Sequence, residues 1–228
     1  MLRWKHLANL KLGSTTGSKG GKSVQMQIVK AVIFDLGRVI VPFDFDLGYR
    51  ELHRLTGLDI ADIRRRIGAT GLVNQFETGL VEPQAFVTGI ARALGITMSV
   101  EQFSRIWNSI FLKETLIPEE MLLRLKQRYR LLLLSNTNAI HFTGLEQDYP
   151  VLRHFDEHVL SFRVQSMKPD APIYLHAAKL AGVPPAECLF IDDLPENVLG
   201  AQAVGMQAVL FQGHLQLERD FERLGVIY

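Results

Sequence analysis

Short apolar runs alternate along this chain with longer segments whose apolar residues recur at helical spacing. The first run, Val32-Ile33-Phe34, ends abruptly on Asp35, with Gly37 two residues further on. Such a run, too short for a helix and apolar at every position, marks a strand buried on both faces of a parallel sheet. Residues 43–113 then hold no convincing strand. Their apolar positions fall in the helical sets Leu47/Leu52/Leu55, Ile60/Ile63/Ile67, Phe86/Ile90/Leu94 and Phe103/Ile106/Trp107/Ile110, broken at Gly57, Gly68, Gly71, Gly79 and Gly95. Glu82-Pro83 and Ser99-Val100-Glu101-Gln102 read as helix starts, the second with the spacing of a capping box. The region is expected to be a bundle of about four helices set between the first strand and the rest of a sheet.

From Pro118 onward the pattern becomes helix, strand, helix, strand. A helix over 118–130 carries Met121, Leu122 and Leu125 inward. Strands follow at Leu131–Leu134, more weakly at Val159-Leu160, then at Leu189–Ile191 and at 207–211. Between them lie a helix capped by Asp170 and stopped by Gly182, and a helix from Pro195 to Val204 closed by Gly205. Units of this length imply an α/β fold, a doubly wound parallel sheet with a Rossmann-like core and right-handed crossovers. Three of the strands end in polar clusters: Asp35, Ser135-Asn136 and Asp192-Asp193. In a parallel sheet all such ends converge on one crevice.

Composition narrows the function. The chain has 228 residues and a net charge of +1, which gives no electrostatic footprint for nucleic acid or an anionic membrane surface. No apolar run reaches the roughly 18 residues of a membrane span. The single cysteine, Cys188, has no partner for an internal disulfide; it sits in an apolar run and reads as a small core residue of a reducing, cytoplasmic protein. Residues 1–26 carry Arg3, Lys5, Lys11, Lys19 and Lys22 without an acid and read as a disordered extension ahead of an alternative start at Met26, or as a transit peptide. Gly20-Gly21-Lys22-Ser23 fails as a phosphate loop, because Thr16 stands where glycine is required. The seven histidines show no metal-ligand spacing. Trp107 and Phe103 read as helical core, and Asn74-Gln75-Phe76-Glu77 as a loop before a turn at Gly79.

With Lys168 of Lys168-Pro169-Asp170, the converging groups suit phosphoryl chemistry. The acids would hold a hard cation such as Mg2+, while cation, ammonium, hydroxyl and backbone N–H groups neutralise a phosphoryl group under attack by Asp35.

Phe34-Asp35-Leu36-Gly37-Arg38-Val39, Leu134-Ser135-Asn136-Thr137-Asn138, Lys168-Pro169-Asp170 and Phe190-Ile191-Asp192-Asp193 resemble, in order and spacing, the four motifs of the haloacid dehalogenase-like superfamily. The resemblance covers residues 29–212 and is greatest to bacterial sugar-phosphate phosphatases of the α-D-glucose-1-phosphate phosphatase type. It implies a core domain over 27–42 and 114–228 and a helical cap domain over 43–113. It also implies that Asp35 is the nucleophile that becomes an aspartyl phosphate, and that Asp35, the Gly37 carbonyl and Asp193 are Mg2+ ligands, with Asp192 beside them or joined through water. Ser135 and Asn136 would border a phosphoryl oxygen, and Lys168 would bridge nucleophile and phosphoryl group. The chain departs from the family at Gly37, where most phosphatases carry a second Asp that protonates the leaving group, and at Arg38, which replaces a glycine. Arg38 either contacts the phosphoryl group or points to solvent. The leading expectation is a Mg2+-dependent phosphatase of a small phosphorylated metabolite. A metal-independent dehalogenase, and a non-catalytic relative that binds a phosphorylated ligand or a protein partner, are the alternatives.

Overall fold

The computed structural model describes residues 28–228, so the expectation for residues 1–26 lies outside the described residues. Five parallel strands form one sheet in the order β3-β2-β1-β4-β5: β1 Ala31–Phe34, β2 Arg130–Ser135, β3 Glu157–Leu160, β4 Cys188–Asp192 and β5 Gln207–Leu210. The first strand is central, pairing Val32 with Leu131 on one side and with Leu189 on the other. Its backbone groups are therefore satisfied on both edges, and its side chains alternate between two covered faces.

Val32, Phe34, Leu131, Leu133, Leu189 and Ile191 pack on one face with Met121, Leu122 and Leu125 of α6 (Glu119–Lys126), Phe142 and Leu145 of α7 (Ala139–Asp148), and Leu217 and Phe221 of α11 (His214–Leu224). Ile33, Leu132, Leu134, Cys188 and Phe190 pack on the other with Ile173, Tyr174 and Ala177 of α9 (Ala171–Ala181) and Ala201 of α10 (Pro195–Ala203). This is the doubly wound α/β arrangement, and Cys188 is a buried free thiol as expected.

Residues 43–113 hold five helices rather than about four: α1 Phe45–Thr56, α2 Ile60–Ala69, α3 Leu72–Glu77, α4 Pro83–Leu94 and α5 Val100–Asn108. The additional one is α3, where a loop was expected. Phe76 is apolar enough to be buried, stacking on Phe86 at 4.2 Å between centroids, and that contact holds six residues in a helix. The Ser99 capping box forms as expected, with Ser99 and Gln102 bonding reciprocally. Asp170 stands at the N-cap of α9 without making the side-chain bond expected of it. The helical layer has its own core, Leu52, Ile63, Phe76, Phe86, Ile90 and Phe103, to which Ile140 of α7 is added. The chain leaves and rejoins the sheet through adjacent segments: Phe43 and Phe111 form an antiparallel bridge, and Leu112 N–H donates to Pro42 O at 3.0 Å. A short helix, α8 (Ser161–Val164), follows β3; the turn at Gly79, with φ +70°, lies so close to the Phe162 carbonyl that a side chain there would collide with it.

Candidate active site

Every polar cluster named from the sequence lies at the carboxyl edge of the sheet. Asp35 follows β1 directly, its N–H donating to Ile191 O at 2.9 Å, which extends the β1–β4 ladder by one residue and fixes the side chain over the edge. Its Oδ1 accepts from the Leu36 N–H at 2.7 Å. The turn beyond is stitched by Ile40 and Val41 N–H to Leu36 O, both 2.9 Å, and by Arg38 N–H to Val41 O at 2.8 Å. Among the described residues the Gly37 carbonyl accepts no hydrogen bond.

Lys168 is the hub. Its Nζ lies 2.6 Å from Asp35 Oδ1 and 2.7 Å from Asp192 Oδ2, and its side chain is almost wholly buried. Asn136 holds it there: Asn136 Oδ1 accepts from the Lys168 N–H at 2.8 Å, and Asn136 Nδ2 donates to the Lys168 carbonyl at 2.9 Å. The amide expected to border a phosphoryl oxygen thus has both its oxygen and its nitrogen engaged in positioning the lysine backbone. Ser135, at the end of β2, is buried, and its hydroxyl makes no hydrogen bond among the described residues. The following loop is braced to the β3 end, with Thr137 N–H donating to Ser161 Oγ and Ser161 Oγ–H donating to Thr137 O, each 2.9 Å.

Asp192 is wholly buried and engaged on both oxygens. Oδ1 accepts from the Leu194 N–H at 2.9 Å and from Asn197 Nδ2 at 3.0 Å; Oδ2 takes the Lys168 ammonium and a second Asn197 contact at 3.1 Å. Asn197 was not singled out from the sequence. The one signal for it is position: five residues past Asp192, it falls on the inward face of the helix begun at Pro195. Asp193 is half-buried and joins Asp35 and Asp192 in a set of carboxylate oxygens that all lie within 4.8 Å of one another.

Three carboxylates therefore share one ammonium. Burial pushes the Asp35 carboxyl up to about 7, with Asp192 and Asp193 adding to the rise and Lys168 opposing it. Burial and Asp192 also raise Asp193, against the pull of Lys168 and Arg38. For Lys168, burial disfavours the ammonium, but Asp35 and Asp192 outweigh it and hold the group charged above its ordinary range. A crowded, oxygen-rich and under-neutralised set of this kind suits a hard divalent cation, which would supply the missing positive charge.

At Gly37 a Cβ would lie 2.8 Å from the Phe43 ring, so Phe43 occupies the space beside Asp35 into which a side chain at 37 would project. Phe43, too, went unnoticed in the sequence. Arg38 is exposed, has the left-handed φ of +60°, and stacks over Phe43 with its guanidinium carbon 4.9 Å from the ring centroid.

The family profile described as "haloacid dehalogenase-like hydrolase" matches residues 29–205. The chain is 27% identical over 187 residues to the D-ribitol-5-phosphate phosphatase of Bacteroides thetaiotaomicron, covering 79% of this chain and 90% of that one. It is 28% identical over 211 residues to phosphatase MT3486 of Mycobacterium tuberculosis, covering 87% and 96%. A crystal structure of the HAD family enzyme bt-2542 from B. thetaiotaomicron, in complex with magnesium and inorganic phosphate, superposes with a TM-score of 0.73 at 29% identity, over 81% of this chain and 95% of that one. The profile spans most of the chain and includes Asp35, Ser135, Lys168, Asp192 and Asp193, and the protein belongs to the haloacid dehalogenase-like hydrolases.

Proposed function

We propose that this protein is a Mg2+-dependent phosphatase of small phosphorylated metabolites that works through a phospho-Asp35 intermediate. The observation that carries the reading is the buried Lys168 bridging Asp35 and Asp192 inside a cluster of three carboxylates. The phosphatase relatives and the magnesium and phosphate bound by the bt-2542 enzyme support the same chemistry.

Asp35, Asp193 and the Gly37 carbonyl would hold the cation. Asp193 is the better direct ligand of the adjacent pair, since both Asp192 oxygens are already taken by Lys168, Asn197 and Leu194. When bound, the cation supplies positive charge that favours ionised Asp35 and offsets the phosphoryl oxygens. The free oxygen of Asp35 attacks phosphorus, and the bond to the leaving oxygen breaks. Lys168 and the unpartnered Ser135 hydroxyl donate to the phosphoryl oxygens as charge develops. Water then attacks phosphorus, releasing inorganic phosphate and restoring the Asp35 carboxylate. Asn136 and Asn197 are positioning residues, holding Lys168 and Asp192.

With glycine at 37, that position offers no carboxylic acid to protonate the leaving oxygen. Leaving groups that depart as stable anions, such as anomeric, acyl or phenolic oxygens, are therefore favoured over simple alkoxides. The helices α1–α5, joined to the sheet at Phe43 and Phe111, act as a cap over the crevice in this reading, with 43–113 as cap and the remainder as core. A dehalogenase is disfavoured, because three carboxylates against one ammonium would repel an anionic haloacid.

The test is phosphate release from an aryl phosphate, a glycosyl-1-phosphate and an alkyl monoester, in EDTA and with added Mg2+. Turnover should require Mg2+ and follow leaving-group acidity, and Asp193→Ala should lose the Mg2+ response more completely than Asp192→Ala loses it. Full turnover in EDTA would replace this reading with a metal-free hydrolase.

A further inference from the structure

Arg38 is a cation held over the Phe43 ring, one residue past Gly37. It is exposed, and among the described residues it makes neither an ion pair nor a side-chain hydrogen bond. Its backbone lies in the left-handed region, where a Cβ is disfavoured and glycine sits freely. The Arg38 N–H to Val41 O bond ties the residue into that conformation. The guanidinium is posed over the ring of Phe43, its carbon 4.9 Å from the centroid. The same ring borders Gly37, the position where most phosphatases of the family carry the leaving-group acid. A leaving group at this edge therefore meets an aromatic face and a free guanidinium fork, the geometry that pairs bidentately with a carboxylate or a phosphate.

We propose that Arg38, posed by Phe43, is a specificity-determining residue that binds a second anionic group on the leaving-group side of the substrate. The assignment rests on the phosphatase reading of the Asp35 site and names the substrate class it prefers: phosphate monoesters whose leaving group bears a carboxylate or another phosphate. The competing role for Arg38 is counter-charge alone, since it opposes the rise of Asp193. That role would alter turnover of all esters together and would shift the Mg2+ requirement.

The two are separated by kcat/KM at saturating Mg2+ for matched esters: phenyl phosphate against carboxyphenyl phosphate, and glycerol phosphate against phosphoglycerate and a glycerol bisphosphate. The wild type should prefer the anionic members, and the third ester distinguishes phosphate from carboxylate as the favoured group. Arg38→Gln should reduce the preference by about 10- to 100-fold, the scale of a charge-assisted contact, mostly through KM. Arg38→Gly should do the same while keeping its melting temperature, because glycine is at ease at this φ. A wild type that favours neutral esters, or variants in which both members fall by one factor, would overturn the assignment of Arg38 alone. A wild type that turns over none of the esters would overturn the phosphatase reading and this assignment together.

Discussion

Two buried polar groupings meet in this molecule and obey opposite rules. At the carboxyl edge of the sheet, Asp35, Asp192 and Asp193 gather around the single ammonium of Lys168. Between α5 and α7, His141 Nδ1 donates to Asn108 Oδ1 at 3.0 Å while Asn108 Nδ2 donates to Ile140 O at 3.3 Å. There His141 is stacked on Trp107 at 9° and met edge-on by Phe111. Burial drives the imidazole down to about 3, so it is neutral, and no acid faces it from either helix. The second grouping is neutral: His141 Nδ1 and the Asn108 amide are paired with each other and with Ile140 O, while Trp107 Nε1 has no partner among the described residues. The first sets three carboxylates against the one buried ammonium of Lys168. A fold that only had to be stable would not keep such an imbalance, since uncompensated buried charge is costly. The difference marks the sheet edge as a place that expects charge from outside, and the helix junction as structure.

Removing Lys168 should have the largest effect. In Lys168→Met at pH 8 without Mg2+, the carboxylates lose the one buried cation among the described residues, and stability should fall by about 3–5 kcal/mol, with Mg2+ returning part of it. Urea denaturation with and without Mg2+ reads both numbers. A variant as stable as the wild type would mean that the imbalance is not there, and the contrast between the two regions would collapse.

The helix junction has its own signature in acid. The folded protein keeps His141 neutral down to about 3, whereas the unfolded imidazole binds a proton below its ordinary value of 6.5. The unfolded state therefore takes up the extra proton, and stability is lost as pH falls through 6.5. Relative to His141→Gln, the wild type should lose about 1.4 kcal/mol per pH unit between pH 6 and 5. Parallel stability curves for the two proteins would show that folded His141 is protonated after all.

The smallest effect sharpens the leaving-group argument. Gly37→Asp alone should gain little on alkyl esters, because its Cβ runs into the Phe43 ring. Gly37→Asp with Phe43→Ala should gain about tenfold in kcat on those esters, short of the roughly 100-fold that a well-placed acid supplies. An equal gain from the single substitution would mean that Phe43 yields easily and does not shape this side of the site.

Much of the sheet was legible because β1, β2 and β4 are buried on both faces and so read as unbroken apolar runs, each ending on its functional residues. The edge strand β3 was only half visible, since Glu157 and His158 are partly exposed. Helix α7 escaped notice because it is sandwiched: Phe142 and Leu145 face the sheet core while Ile140 joins the helical layer, and the amphipathic period is blurred. Helix α11 was missed beyond β5, although Leu217 and Phe221 carry its buried face. At the site, Asp35, Ser135, Asp192 and Asp193 could be named from strand ends, and Lys168 from the Lys168-Pro169-Asp170 stretch that leads into α9. Asn197 and Phe43 could not, because their parts depend on where a helix face and a junction ring come to lie. The same holds for the choice between Asp192 and Asp193, which turns on hydrogen bonds rather than on order in the chain.

The covalent role of Asp35 can be tested by quenching the wild type in acid during turnover of an aryl phosphate with Mg2+ and mapping the peptides by mass spectrometry. A phosphoryl adduct on Asp35, absent from Asp35→Asn, which should be folded and inactive, is the expected result. Steady turnover by the wild type with no adduct, together with phosphate release by a folded Asp35→Asn protein, would contradict it.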